Sequence, residues 1–138
     1  MSSVKIILAG VLAGVGMLLF GVLFSIIASP VYSANIDLWK PTGGFWYLGV
    51  VLLFMLSGLI YALIYTTLGK GMKGGALDKG LLYGSLLWFV GPLPSALLVH
   101  TVANIPTEIT VGWIFGGLVC NLIAGVTVVF VFTELKKR

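Results

Sequence analysis

IILAGVLAGVGMLLFGVLFSIIA, residues 6–28, is 23 residues without one ionisable side chain. It belongs to a longer uncharged stretch of 31 residues between Lys5 and Asp37. Three more follow: 29 residues between Lys40 and Lys70, 28 between Lys79 and Glu108, and 25 between Glu108 and Glu134. A helix needs roughly 20 apolar residues to cross a bilayer, and all four stretches exceed that. Only helices and closed barrels satisfy the backbone in lipid, and uninterrupted apolar runs of this length select the helix. The expected fold is all-α: one integral membrane domain, residues 1–138, built as a four-transmembrane-helix bundle. The spans are expected at about 5–28, 45–68, 80–102 and 110–133.

Composition agrees. The 138 residues are 59% hydrophobic and 9% charged, against roughly a quarter charged in a soluble domain. The first run could be mistaken for a secretory signal. At 23 residues it is longer than the roughly 7–15 of a signal core, so it is read as a true span. Cys120 is the single cysteine, which excludes an intrachain disulfide. The net charge of +4 comes from lysines and arginine at helix ends, not from the basic stripe of a nucleic-acid binder, and no nucleic-acid partner is expected.

Orientation follows from those cations. Lys5, Lys70, Lys73, Lys79, Lys136, Lys137 and Arg138 fall on one side of the expected topology, and Lys40 alone on the other. By the positive-inside rule, both termini and the Gly69–Lys79 loop face the cytoplasm. The 29–44 and 103–109 connections face outward. The first is rich in turn-formers (Pro30, Asn35, Asp37, Pro41, Gly43, Gly44) and is flanked by Tyr32, Trp39, Trp46 and Tyr47, as in an aromatic belt at headgroup level. Lys70, Lys73, Lys79, Lys136, Lys137 and Arg138 are then candidates for meeting anionic lipid headgroups.

Spacing also suggests a tandem two-helix repeat. Lys5 precedes Gly10 by five residues, as Lys79 precedes Gly84. Trp46, Gly49 and Gly58 are spaced as Trp113, Gly116 and Gly125 are. Under this matching the first hairpin has an outer loop about seven residues longer. The pseudo-twofold axis would run along the membrane normal, as for parallel repeats. Glycine-rich apolar sequence also produces such matches by chance.

The third span is the least ordinary. Proline lacks an N–H and clashes with the carbonyl four residues back. Pro92 should therefore free the Trp88 carbonyl, and Pro94 that of Val90. Gly91 precedes the break. An unpaired carbonyl in hydrocarbon is costly, and Asn121, at comparable depth in the fourth span, is the expected donor to it. Alternatively, the kink and Asn121 line a polar cavity for a solute.

Small residues let membrane helices approach closely. Gly10/Gly14, Gly80/Gly84 and Gly112/Gly116 form Gly-xxx-Gly pairs, Gly21 extends the first-span stripe, and Gly117 and Gly125 flank Asn121 on the fourth. These faces serve either packing within the bundle or docking to another membrane subunit.

Catalytic chemistry finds no support. His100 is the single histidine, short of the three or four ligands a metal site takes; Glu108 or a lipid headgroup is its expected partner. Cys120 falls deep in lipid, where thiolate is not favoured. No span interior holds the Asp, Glu, Lys or Arg of an ion path. Gly69-Lys70-Gly71 lacks the phosphate-loop pattern. No cofactor or metal is expected, and an intramembrane enzyme would need residues from a partner.

The run Gly80-Leu81-Leu82-Tyr83-Gly84, with Trp88 and Gly91-Pro92, resembles families of small, uncharacterised four-helix prokaryotic membrane proteins that carry a Tyr-Gly…Trp…Gly-Pro pattern in the third helix. The likeness covers mainly residues 80–126. Some relatives carry a histidine in the fourth helix, where this chain has none. The resemblance implies four spans, a prokaryotic inner membrane and no established activity.

The leading expectation is a non-catalytic accessory or structural subunit, packed against other integral membrane subunits and lipid, with a respiratory or other energy-converting complex as a natural home. The alternative is a homo-oligomeric channel or carrier for a small neutral or hydrophobic solute.

Overall fold

The computed structural model describes residues 3–39 and 43–137, the last three as backbone alone. Among them there is no β-strand. Helix α1 spans Ser3–Ile27 and α2 spans Ser29–Ala34, followed by a 3₁₀ turn at Ile36–Leu38. Then come α3 (Gly44–Leu68), α4 (Ala76–Val90), α5 (Pro92–Val102) and α6 (Thr107–Lys137). With α4 and α5 taken as one broken rod, four helices are long and apolar enough to cross a membrane. The helices begin and end within a few residues of the expected spans, except that α4 starts at Ala76 and α6 runs on to Lys137.

The connections are made by turn chemistry. Pro30 sits in the first turn of α2, where its missing N–H has no bond to lose. Gly43 ends the next connection, and its carbonyl accepts the Trp46 and Tyr47 N–H groups at 2.9 and 3.2 Å. Gly74, at φ +107°, takes a backbone conformation closed to most side chains. Asp78 then holds the Gly75 N–H at 3.2 Å, capping the start of α4. Pro106 offers its carbonyl to Ile109 and Thr110, starting α6 directly after a short turn.

α1 packs against α3 and α6, and α6 also packs along α4 and α5. Two antiparallel pairs, α1/α3 and α4/α6, repeat one another at their contacts. A Cβ built on Gly10 would stand 2.7 Å from the Leu59 Cα, and one on Gly80 would stand 2.6 Å from the Val126 Cα. Gly14 faces the Phe54 carbonyl and Met55 Cα; Gly84 faces the Asn121 carbonyl and Leu122 Cα. Gly58 presses on the backbone of Gly10 and Gly14, and Gly125 on that of Gly80 and Gly84.

The two hairpins are thus tandem repeats, with Gly14 equivalent to Gly84 and Gly58 to Gly125. This corrects the sequence matching of the first helices. Gly10 corresponds to Gly80, not Gly84, one helical turn away. The first hairpin is then longer by three residues, not seven: 44 separate Gly14 from Gly58, and 41 separate Gly84 from Gly125. The Trp46–Gly49–Gly58 matching stands. Both hairpins start at the same end of the bundle, so the pseudo-axis runs along the helices.

The repeat is not closed symmetrically. α1 lies along α6, whereas α3 and α4 have no comparable contact. Small residues on α1 face α6 where larger ones stand on α4: Gly16 lies against Ile123, and its repeat equivalent is Leu86. Tyr83, fully buried, stands between α4 and α3, donates its hydroxyl to the Tyr61 carbonyl and packs its ring, tilted by 59°, against Tyr65 at 5.1 Å between centroids. Its repeat equivalent on α1 is Ala13, also fully buried. A methyl lets two helices meet; a phenol ring holds them apart.

Candidate functional site

The break between α4 and α5 falls at Gly91 (φ −107°, ψ −84°). Its carbonyl takes both the Ser95 N–H at 3.1 Å and the Ser95 hydroxyl at 2.8 Å. Trp88, a turn earlier, reaches across to α6 and donates Nε1–H to the Ile114 carbonyl at 2.9 Å. Gly117 supplies the space opposite the break: a Cβ there would stand 3.0 Å from the Pro92 Cβ. Pro94 follows within the first turn of α5.

Asn121 does not serve the break. Its Nδ2 donates to the Gly117 carbonyl of its own helix at 2.8 Å, and its Oδ1 is buried without a partner. The reason is register. Asn121 lies level with Gly84, eight residues before Pro92, and the residue level with Pro92 is Gly117. Among the described residues no side chain donates to the Trp88 or Val90 carbonyl. The interhelix bond expected of Asn121 is made instead by Trp88, in the opposite direction.

His100 pairs with Thr110, Nδ1 lying 3.0 Å from Oγ1, rather than with Glu108. Thr110 follows Glu108 by two residues and is buried. Among the described residues no group of three His, Cys, Asp or Glu is placed to hold a metal ion.

What the bundle does hold is an open apolar cleft of about 1120 Å³ at the aromatic end, walled by α1, α2, α3, α5 and α6. The wall is built from repeat-equivalent pairs: Val22 and Pro92, Ser25 and Ser95, Ile26 and Ala96, Trp46 and Trp113, Val50 and Gly117. The cleft therefore lies on the pseudo-axis. Ser25 and Ser95 hydrogen-bond identically, each to the carbonyl four residues back (Gly21 and Gly91) at 2.8 Å. With their hydroxyl hydrogens so engaged, they add little polarity to the wall. Phe24, Phe54 and Cys120 complete the apolar lining. The Cys120 thiol reaches only the Met17 carbonyl, at 3.8 Å.

The mouth is aromatic. Tyr32, Trp46, Tyr47 and Trp113 line it. Trp39 braces it from behind, 5.0 Å from Tyr32 and 6.2 Å from Trp113 between ring centroids, with its Nε1–H on the Tyr32 carbonyl at 3.3 Å. Burial raises the Tyr32 phenol above its ordinary value, so it remains a neutral donor and acceptor. The arrangement is an apolar chamber with phenol and indole groups at its rim.

The glycines singled out in sequence lie against neighbours inside the bundle. Gly10, Gly14 and Gly21 face α3, through Leu59, Met55 and Phe54; Gly112 and Gly116 face Phe24 of α1. Gly80 and Gly84 face α6, with Gly117 and Gly125 opposite α5 and α4. Lys70 and Lys79 share a hollow at the lysine end with Lys5, and Lys73 is exposed. Arg138 and the side chains of Lys136 and Lys137 lie outside the described residues, as does Lys40.

Comparison with protein-family models, curated proteins and solved structures finds no match. The site rests on its geometry. Sequence reasoning missed the cleft itself, Tyr83 as the ring that stands in the seam between α3 and α4, and Lys5 as a partner of Lys70 and Lys79. One available signal was the equivalence of Gly21-x₃-Ser25 and Gly91-x₃-Ser95.

Proposed function

We propose that this multi-pass membrane protein is a non-catalytic binder, and by extension a carrier, of a small hydrophobic or amphiphilic molecule drawn from the bilayer. The observation that carries this reading is the cleft on the pseudo-axis, about 1120 Å³ in volume. Ligand pockets typically run from about 300 to 1,000 Å³ and are mostly apolar with a few polar groups for orientation. Here the apolar walls suit a hydrocarbon body. The phenol and indole groups of Tyr32, Tyr47, Trp46 and Trp113 suit a small uncharged polar head at the interface. The absence of Asp, Glu, Lys, Arg and His among the described lining residues disfavours an ionic solute. Repeat-related walls around one central site are also how many carriers are built.

A second reading, an accessory subunit of a larger membrane complex, draws on α3. That span is the least buried of the four, and Leu52, Leu53, Leu56 and Leu63 along it are exposed. The glycine faces that motivated this reading are occupied within the bundle. The cleft therefore weighs more. In either reading the seven-to-one cation asymmetry supports cytoplasmic termini, and the sequence resemblance supports a prokaryotic inner membrane.

Purification from the native membrane in mild detergent separates the two. Organic extraction and mass spectrometry should find a bound hydrophobic molecule near one per chain, with Cys120 shielded from a lipophilic alkylating reagent until that molecule is removed. Stoichiometric protein partners with an empty cleft would favour the subunit reading instead.

A further inference from the structure

The opposite end of the bundle holds a second hollow, about 490 Å³, between the ends of α1, α3, α4 and α6. Lys5, Lys70 and Lys79 line it from three separate parts of the chain, over Tyr65, Phe132, Thr66 and Thr133. By the repeat matching, Tyr65 is equivalent to Phe132 and Thr66 to Thr133, so this hollow too straddles the pseudo-axis. The Tyr65 and Phe132 rings pack together at 5.3 Å between centroids and form an apolar floor.

The donors of this hollow are its ammonium groups. Thr66 gives its hydroxyl hydrogen to the Leu63 carbonyl at 2.7 Å, and Thr133 gives its own to Val129 at 2.8 Å. Asp78, beside Lys79, is turned to the Gly75 N–H. Glu134 follows Thr133 on α6, and among the described lining residues and their chain neighbours three ammoniums against these two carboxylates leave the region cationic.

We propose that this hollow seats one phosphate-bearing headgroup, held by Lys5, Lys70 and Lys79, with the first carbons of the lipid resting on Tyr65 and Phe132. Lysine binds phosphate as a point charge with three donors. Basic pockets between membrane helices on the cytoplasmic side are where anionic lipid heads bind. The inference does not depend on the aromatic-end cleft. It differs from a diffuse basic surface because it assigns the ligand to three particular lysines and excludes Lys73.

The test uses the whole protein in nanodiscs of phosphatidylcholine doped with phosphatidylglycerol, with retained lipid counted by native mass spectrometry. Lys70→Gln, Lys79→Gln and Lys73→Gln each remove one charge from the same end. The first two should each lower retention of the anionic lipid about fivefold, and the third should leave it unchanged. Equal losses in all three, or none, would overturn the proposal. Unchanged melting in pure phosphatidylcholine confirms that each variant is folded. Millimolar inorganic phosphate added to the wild type identifies the source: displacement of the lipid points to free phosphate as the occupant, and retention points to the headgroup.

Discussion

Gly84 and Gly49 are both glycines in spans, yet they make opposite predictions. A Cβ on Gly84 would meet the Asn121 carbonyl and stand 2.8 Å from the Leu122 Cα, both backbone atoms that cannot step aside; around Gly49 nothing lies within 4 Å. Overpacking at a rigid contact costs roughly 1–3 kcal/mol. Gly84→Ala should therefore lower the melting temperature in detergent clearly, and Gly49→Ala should leave it within error. Asn121 makes a second contrast. Its amide bonds within its own helix and its Oδ1 has no partner, so Asn121→Leu removes no interhelix bond and relieves one unsatisfied buried acceptor. Its melting temperature should be unchanged or slightly raised; a marked fall would mean that Asn121 bonds across helices after all. Counting residues from the membrane surface placed Asn121 level with Pro92, where the structure places Gly117, one turn away along α6. Depth counting assumes straight, untilted helices, and one turn of error suffices to exchange Asn121 for Gly117.

At the scale of the elements, the four helices were legible because charge is costly in lipid and its absence over 25 or more residues has few other readings. The repeat was half legible. Trp46, Gly49 and Gly58 matched Trp113, Gly116 and Gly125 correctly. The partner helices were matched a turn out of register because the comparison was anchored on Lys5 and Lys79. A lysine at a helix end snorkels and tolerates displacement along the axis; a glycine whose Cα touches another backbone does not. The cleft was not legible, since residues facing an apolar chamber and residues facing lipid share one hydropathy. Its shape depends on the break between α4 and α5. Pro92→Ala restores an N–H that can reach the Trp88 carbonyl and should straighten the rod. Spin labels at Leu77 and Val102, with Cys120 replaced by serine, measure this: the interlabel distance should lengthen toward the roughly 37 Å of a straight helix over 25 residues. An unchanged distance in Pro92→Ala and also in Pro92→Ala/Pro94→Ala would assign the break to the packing of α5 against α6 rather than to the prolines.

For the molecule as a whole, two hairpins related by a pseudo-axis enclose two different hollows on that axis, one apolar and aromatic-rimmed, the other cationic. The seam between α3 and α4 is less tightly packed than that between α1 and α6, and Tyr83 stands in it facing Tyr61 and Tyr65 where Ala13 stands in the other repeat. Tyr83→Ala should let α3 and α4 approach or leave a void between them, with a loss of stability of about 3–5 kcal/mol; Tyr83→Phe, which gives up only the hydroxyl bond, should lose about 0.6 kcal/mol. The central claim is that the aromatic-end cleft is a binding site. Its most direct test is to fill it. Val50→Trp and Val99→Trp place bulk in the cleft from α3 and α5, and the hydrophobic molecules that co-purify with each variant and with wild type can be quantified by mass spectrometry. One class of molecule is expected at near-stoichiometric amount on the wild type, and its loss from both folded variants. The same bulk lipid mixture on all three proteins would contradict it.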